Sequence, residues 1–560
     1  MHVLSAAEMQ ACDRATSERF GIPSIELMRA AASAVASFAQ QQFPHARRVT
    51  VLCGRGNNGG DGLMTARLLA LAGLDVTTLL LGASEDLKGD AAQAWRELTN
   101  SPNGQLPRGH SSPGQVHIVT VPEDLARHSA ALETDLLIDA LLGTGFRPPL
   151  KGLALAALDW IRSIPSYVPI LAIDLPSGWP ADDTSATLSS PAFPADAVIT
   201  FTAPKPAHLF GQLTRDWRQP IVVAPIGSPD EAIVSGLRLD WAGSSAALTH
   251  APRAAEANKG SFGHVLVVGG SFGSAGGKAG APAMSALAAL RAGAGLVTAA
   301  VPAPALATVS AIAPELMTWP LEATAEGAIA EANLAPTRVA AYTAGKTVLA
   351  LGPGLGQSPE TSRFVLDLLD STQIPAVIDA DALNILAAKP VHLAGLSHNG
   401  KRTVILTPHP GEVARLAAST VAEVQAHRLD IARTFAQSCG VTLVLKGART
   451  LIAHPDGRVA VNTTGNPGMA KGGSGDLLTG LIAGLLAQFP ADPARAVEAA
   501  VYLHGLSADF AVRAGDEHTF LATDALPHLS QAFRFYSRRA NGYVWIQGLP
   551  PDAAPREAGQ

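Results

Sequence analysis

The sequence predicts an α/β protein of two domains, each a mainly parallel sheet layered between helices. Short apolar runs alternate with helical patterns along most of the chain, which is the pattern of parallel crossovers. Glycine-rich turns lie at two places where a strand-like run gives way to a helix, Gly54–Gly62 and within Asn462–Gln488. Of 560 residues, 47% are hydrophobic and 16% charged, enough apolar material for large cores and too much for a disordered chain.

In the first half, Arg48–Cys53 (RVTVLC) reads as a strand ending in a glycine loop, Leu63–Ala72 as the following helix and Val76–Leu81 as the next strand. Leu136–Ala140, Ile170–Ile173, Ala197–Phe201 and Ile221–Ala224 continue the series. Asn100–Gly114, rich in Pro, Gly, Ser and Asn, reads as a surface insertion. A polar, alanine-rich stretch over Ser228–Gly260 marks a boundary, and HVLVVGG (His264–Gly270) opens a second series. Its later strands are expected at Thr347–Ala350, Ala376–Ile378, Thr403–Leu406 and Thr442–Leu445. The reading is a domain over 1–228, a linker over 229–257, a second domain over 258–535 and a tail over 536–560 with no assigned role. Residues 1–228 are expected to fold and act alone.

The net charge of −6 and the lack of dense Lys/Arg runs exclude the electrostatic footprint of a nucleic-acid binder. Cys12, Cys53 and Cys439 are scattered and odd in number, giving neither a metal spacing nor a disulfide framework, so a reducing compartment fits best. The N-terminus carries acids early and has no apolar core of a signal peptide. The uncharged stretch between Arg291 and Glu315 is broken by Pro302, Pro304, Pro314, Gly293 and Gly295, so no membrane span is expected. The expectation is a cytoplasmic chain, and a homo-oligomer.

GRGNNGGDG (Gly54–Gly62) places Gly54, Gly56 and Gly59 at dinucleotide-fingerprint spacing, where backbone N–H groups approach an anion. Asn57, Asn58 and Asp61 within it are unusual, because a bare phosphate cradle has no use for a carboxylate. Two other strand ends carry acids, Asp139 before LLGTGFRPPL and Asp174 before LPSGW. Ligands bind at the carboxyl ends of strands in open parallel sheets, so these ends plausibly share one crevice. Singly, each acid also suits a helix cap or a turn.

Together with the opening LSAAEMQACDRATSERFGIPSIELMRAA, these motifs resemble the YjeF N-terminal family of NAD(P)H-hydrate epimerases over Met1–Ala224. The resemblance implies substrate contacts at Asn57, Asn58, Gly59, Gly60 and Asp61, at Gly143, Thr144, Gly145, Phe146, Arg147, Pro148 and Pro149, and at Asp174. It implies a potassium ion held by Asn58, Asp139 and Ser177, oxygen ligands of the kind a hard cation takes. Asp174 is expected to be the acid/base and Asp139 the ion's ligand, with the two roles exchangeable.

NTTGNPGMAKGGSGDLLTGLIAGLLAQ (Asn462–Gln488) places Gly473, Ser474 and Gly475 at the start of an apolar helix, where backbone amides form an anion hole. Asp476 stands where a carboxylate takes a hydroxyl proton as a phosphoryl group arrives; a helix cap is the plainer alternative. GPGLG (Gly352–Gly356), VIDADALN (Val377–Asn384), TPHPGE (Thr407–Glu412) and LKGART (Leu445–Thr450) each follow an expected strand. Lys446 reads either as a phosphate contact or as a solvated strand end.

This set resembles the ribokinase-like superfamily, and within it the NAD(P)H-hydrate dehydratases, over about Asn258–Ser530. The resemblance implies ADP or ATP with magnesium as phosphoryl donor, and nucleotide contacts at Lys446, Gly447, Ala448, Arg449, Thr450 and Gly475. Hydrate contacts would be Ala281, Gly356, His409 and Asp476, with Asp476 catalytic. The loop GSFGSAGGKAGA departs from the family's tyrosine-containing form and carries Lys278 three residues before Ala281.

The implied whole is a Rossmann-like three-layer epimerase domain followed by a ribokinase-like three-layer domain. The first would interconvert the R and S hydrates of NADH and NADPH (NADHX and NADPHX). The second would use ADP to dehydrate the S form, giving NAD(P)H, AMP and phosphate. The alternative is a small-molecule kinase of the hydroxymethylpyrimidine type fused to a non-catalytic binding domain.

Overall fold

The computed structural model describes residues 1–99, 115–163, 167–273, 276–397, 400 and 402–553. The insertion expected at Asn100–Gly114 lies outside them. The chain forms two compact units, Met1–Leu237 with the segment from Tyr536 onward, and Arg238–Phe535.

The first unit is built on an eight-stranded sheet. From one edge its strands run Val544–Gln547, Ile221–Ala224, Ala197–Phe201, Ile170–Ile173, Leu136–Ala140, Arg48–Cys53, Asp75–Leu81 and Gln115–Val119. All neighbours are parallel except the first pair. The chain builds outward from Arg48–Cys53 in one direction, then restarts on its other side at Leu136–Ala140. That reversal is a topological switch point, where a crevice opens beyond the carboxyl ends of the strands. Both central strands are apolar on both faces, as strands covered by helices must be.

The sequence reading located six of these eight strands to within a residue and missed two. One is Gln115–Val119. The other is Val544–Gln547, which corrects the reading of 536–560 as a tail without a role. Val544, Trp545 and Ile546 are buried, Trp545 and Tyr543 stand edge-on to Phe38, and Tyr543 Oη donates to the Ala34 carbonyl at 3.0 Å. Gln547 Nε2 donates to Thr214 Oγ1 at 2.8 Å. Residues 1–228 are therefore not a closed unit.

A chain ending at Phe535 is expected to lose the stability of the first unit. Four buried side chains, Tyr543 to Ile546, leave with the strand, each worth about 1.5–3 kcal/mol when large and apolar. The total is comparable with the ~5–15 kcal/mol stability of a typical domain. Thermal melting should show the first unit's transition lowered or lost, and adding a peptide spanning 536–550 should restore it. An unchanged transition would refute the strand's contribution.

The second unit carries a ten-stranded sheet. Its order is Met317–Leu321, Leu296–Pro302, His264–Val268, Val348–Leu351, Ala376–Ile378, Val404–Leu406, Thr442–Leu445, Leu451–Ala453, Val459–Val461 and Leu239–Trp241. The first seven are parallel, and Leu451–Ala453 is antiparallel to both neighbours. The last strand corrects the linker over 229–257. Leu239–Trp241 pairs with Val459–Val461, Trp241 Nε1 donates to Thr463 Oγ1 at 2.9 Å, and Ser245 Oγ donates to buried Glu498 at 2.5 Å. A three-residue strand has too little pattern to stand out in an alanine-rich sequence.

The helix Ser474–Gln488 is apolar all round because it is buried all round. A Cβ on Gly480 would lie 2.0 Å from the Ser285 carbonyl oxygen, so glycine there lets this helix lie against Gly280–Ala292.

Candidate functional sites

The first site forms at the switch point. Gly54 ends the Arg48–Cys53 strand so close to the neighbouring strand's exit that a Cβ would lie 2.0 Å from the Leu141 carbonyl oxygen. A Cβ on Gly59 would lie 1.8 Å from the Gly54 carbonyl oxygen. The turn therefore folds tightly and starts the helix Asn57–Leu71, which carries Asn58, Gly59, Gly60 and Asp61 in its first turns.

Asn58, Asp139 and Ser177 come together around one segment of backbone. Ser177 donates to Asp139 through both Oγ, at 2.6 Å, and its backbone N–H, at 2.8 Å. Ser177 Oγ accepts from Leu142 N at 2.9 Å, and Asn58 Nδ2 donates to Leu142 O at 3.0 Å. Asn58 Oδ1 is buried without a hydrogen-bond partner, an oxygen left over for a cation. Asp139 is fully buried, and burial pushes its carboxyl up to about 6 against the lowering pull of the Ser177 and Leu141 donors. These residues fit an oxygen-bound monovalent cation. Among the described residues no three His, Cys, Asp or Glu side chains converge as a metal cage.

Asp174 has left-handed backbone, φ 65°, unusual for a residue with a Cβ. Its Oδ1 accepts from Lys205 Nζ and Thr200 Oγ1, both at 2.9 Å, and its Oδ2 from Thr144 N at 3.2 Å. Burial raises this carboxyl, but the Lys205 charge and the Lys205 and Thr200 hydrogen bonds lower it, and the net shift is downward. Asp61 is opposite in character: it is held well above the usual carboxylate range, first by burial, then by the charges of Asp174, Asp13 and Asp90. Asp13 is pushed up to about 6, chiefly by burial, and its Oδ1 has no partner.

The Thr144 hydrogen bond thus brings the Gly143–Pro149 loop beside Asp174. Phe146 packs against the core beneath, while Gly145, Arg147, Pro148 and Pro149 are exposed.

The second site gathers at the start of Ser474–Gln488. Gly473 takes φ 99° to begin the helix, and Ser285 Oγ donates to the Asp476 carbonyl at 2.8 Å. Beneath it, Lys446 Nζ donates to Asp379 Oδ1 at 2.9 Å, and Thr479 Oγ1 donates to Asp379 Oδ2 at 2.8 Å. A Cβ on Gly475 would lie 3.4 Å from Lys446 Nζ, so the half-buried cation lies against the expected anion hole. Lys446 is paired with Asp379 rather than standing as a solvated strand end. Burial alone would lower it, but Asp379 and Glu412 hold it above its ordinary value. Asp476 is pushed up to about 6, first by burial and then by Asp379.

Asp381 organises the opposite wall. Its Oδ2 accepts from Gly356 N at 2.9 Å and Lys278 Nζ at 3.2 Å, which gives the unexpected lysine a partner. Gly354 packs on Ala281, where a Cβ would lie 3.3 Å from the alanine's. His409 caps the helix Pro410–Leu416, its Nδ1 accepting from Gly411 N at 3.0 Å, and its other nitrogen is 3.5 Å from Glu412 Oε1.

In the Lys446–Thr450 turn, Arg449 Nη1 donates to the Thr463 carbonyl at 3.2 Å and its charge faces Asp509, so its side chain braces the loop. Ala448 O accepts from Arg428 Nη1 at 2.9 Å, and Thr450 Oγ1 donates to Gly447 O at 2.8 Å.

Residues 24–207 match the family model described as YjeF-related protein N-terminus, and residues 265–531 match NAD(P)H-hydrate dehydratase. The bifunctional NAD(P)H-hydrate repair enzyme Nnr of Moorella thermoacetica is 40% identical over 552 residues, covering 95% of this chain and 97% of that one. The chain belongs to the bifunctional NAD(P)H-hydrate repair enzymes. The Nnr of Escherichia coli is 35% identical, with 94% of this chain and 93% of that one covered. The solved ADP/ATP-dependent NAD(P)H-hydrate dehydratase from Bacillus subtilis, co-crystallized with ATP/Mg2+, is 31% identical, with 53% of this chain and 97% of that one covered and a TM-score of 0.42.

For a repair enzyme of this family, sequence reading missed Lys205, Asp13, Asp379 and Asp381. Lys205 and Asp379 follow strand ends, as Asp139 and Asp174 do, and the same rule would have reached them. Lys205 lies between two prolines and in no motif that stands out. Asp13 comes from a helix far away in sequence, and no local pattern points to it.

Proposed function

We propose that the first cleft epimerises the hydrates of NADH and NADPH and that the second dehydrates one epimer with ADP, or ATP, carrying magnesium as donor. The observation that supports the first activity best is two carboxyls of opposed character in one cleft, Asp174 paired with buried Lys205 and Asp61 facing other acids, which hold it above the ordinary range. In the first site the ring nitrogen's lone pair expels the hydroxyl or opens the ring. Asp174, clamped by Lys205, suits the transient positive charge better than proton transfer, and this revises the acid/base role expected of it. Asp61, whose carboxyl burial and the neighbouring acids hold well above the ordinary range, is the better proton donor.

In the second site Asp476 accepts the hydroxyl proton as the amides at Gly473–Gly475 hold the arriving phosphoryl group. Phosphate then leaves as the ring nitrogen pushes, and loss of a proton from the adjacent carbon restores the double bond. Asp379 and Glu412 are carboxylates beside Lys446 that would hold the donor's magnesium, which supplies charge neutralisation on the phosphates. No described helix is long and apolar enough to cross a membrane, and Cys12, Cys53 and Cys439 are free thiols. Both suit the cytoplasm; the homo-oligomer remains an expectation that sedimentation would check. Incubation with hydrated NADH and ADP should restore the absorbance of the reduced cofactor and release AMP and phosphate. A stable phosphorylated hydrate, without release, would instead favour the kinase reading.

Asn58, Asp139 and Ser177 would hold potassium, which fixes substrate-facing backbone and offsets the buried Asp139 charge. Potassium chloride is expected to raise the melting temperature of the first unit more than sodium chloride does, and Asp139→Ala to abolish the difference. Equal effects of the two salts on the wild-type chain would argue against the site.

A further inference from the structure

Lys205 is buried, with its side chain 2% exposed. Its Nζ donates to Asp174 Oδ1 at 2.9 Å and to Thr200 Oγ1 at 2.7 Å, and Thr200 Oγ1 donates to the same carboxylate oxygen. The backbone N–H of Lys205 donates to His208 Nδ1 at 2.9 Å. The proton of that ring therefore sits on Nε2, which donates to the Asp174 carbonyl at 2.7 Å. The short segment Lys205–His208 thus grips Asp174 twice, by its side chain and by its main chain, where the backbone is left-handed.

The surrounding charges need this grip. Lys205 acts on two carboxyls, Asp174 and Asp13 of Ala6–Glu18, while Asp61 of Asn57–Leu71 feels the acids alone. His208 adds no charge: burial, then Lys205, pull it down to about 4. Without Lys205, a buried Asp174 left with the Thr200 and Thr144 donors would shift toward its neutral form.

We propose that Lys205, seconded by His208, is a positioning residue that keeps Asp174 ionised and aimed into the epimerase cleft. The inference rests on the reading of that cleft as the epimerase site. A neutral Asp174 offers nothing to a ring that becomes transiently positive, so the loss falls on turnover rather than on binding. Raising the pH restores the carboxylate and with it the rate.

The test uses the full chain carrying Lys205→Met, with the rate of epimerisation followed as a function of pH. At neutral pH kcat is expected to fall by about 10²-fold or more, as when a stabilising donor is removed. KM should change by no more than about threefold, because ground-state binding is untouched. The rate should rise roughly tenfold per pH unit on the alkaline side, as one carboxyl ionises. Dehydration of the accepted epimer should be unchanged and serves as the control for an intact chain. Thr200→Val, a smaller change, should move the pH profile the same way by a lesser amount, and it decides the matter if the methionine variant fails to fold. A loss that is flat in pH in both variants, a change in KM alone, or no change would overturn the proposal. A wild-type chain that does not epimerise at all would overturn the reading of the cleft instead.

Discussion

Asp476→Asn is expected to abolish dehydration while epimerisation continues at nearly the wild-type rate. Asp476 lies at the start of Ser474–Gln488, beside amides suited to a phosphoryl group and above the Lys446–Asp379 pair. The variant keeps the shape of the side chain and removes its ability to take a proton. A positioned base contributes roughly 10²–10⁴-fold, which sets the size of the loss. The wild-type pH profile carries the same signature. Burial and Asp379 push Asp476 up to about 6, so the active, ionised form prevails above that value. Below it, kcat/KM for dehydration should fall about tenfold per pH unit, and the fall should not appear in the epimerisation rate with the same midpoint. Single-turnover dehydration at wild-type rate in Asp476→Asn would remove Asp476 from the mechanism.

Asp174→Ala is expected to split recovery of the reduced cofactor into two phases. Hydration of the nicotinamide ring gives two epimers at one carbon. A dehydratase site with one anion hole and one base accepts the epimer whose hydroxyl meets the phosphoryl donor. The other forfeits a positioning advantage worth about 7–11 kcal/mol. With excess ADP and a mixture of epimers, the wild-type chain should restore essentially all the absorbance in one phase. The variant should stop near the fraction of the accepted epimer and then creep upward at the spontaneous rate. Supplying wild-type chain whose second site is disabled by Asp476→Asn should restore rapid completion. A single fast phase in Asp174→Ala would mean that the second site ignores stereochemistry or that Asp174 is dispensable, and Asn58→Ala would separate those two outcomes.

The sequence by itself determined the strands that carry the sites and the identity of most residues at their ends. Arg48–Cys53, Leu136–Ala140, Ile170–Ile173 and Ala197–Phe201 are continuous apolar runs because helices cover both faces of the sheet, and such runs are local signals. GRGNNGGDG was legible because close backbone approach leaves room only for glycine, and Asp139, Asp174 and Asp476 because polar residues at strand ends or a glycine-rich helix start stand out against apolar surroundings. The closing strand Val544–Gln547 and the edge strand Leu239–Trp241 were decided only in three dimensions, since a short strand is stabilised by a partner far off in the chain. Charge state was decided there too. Asp61 and Asp174 read alike as carboxylates at a cleft, but one faces only other acids and the other is paired with buried Lys205. The energy of a buried charge depends on what packs around it, and in this cleft Asp13, Asp61 and Lys205 come from two helices and a loop far apart in sequence.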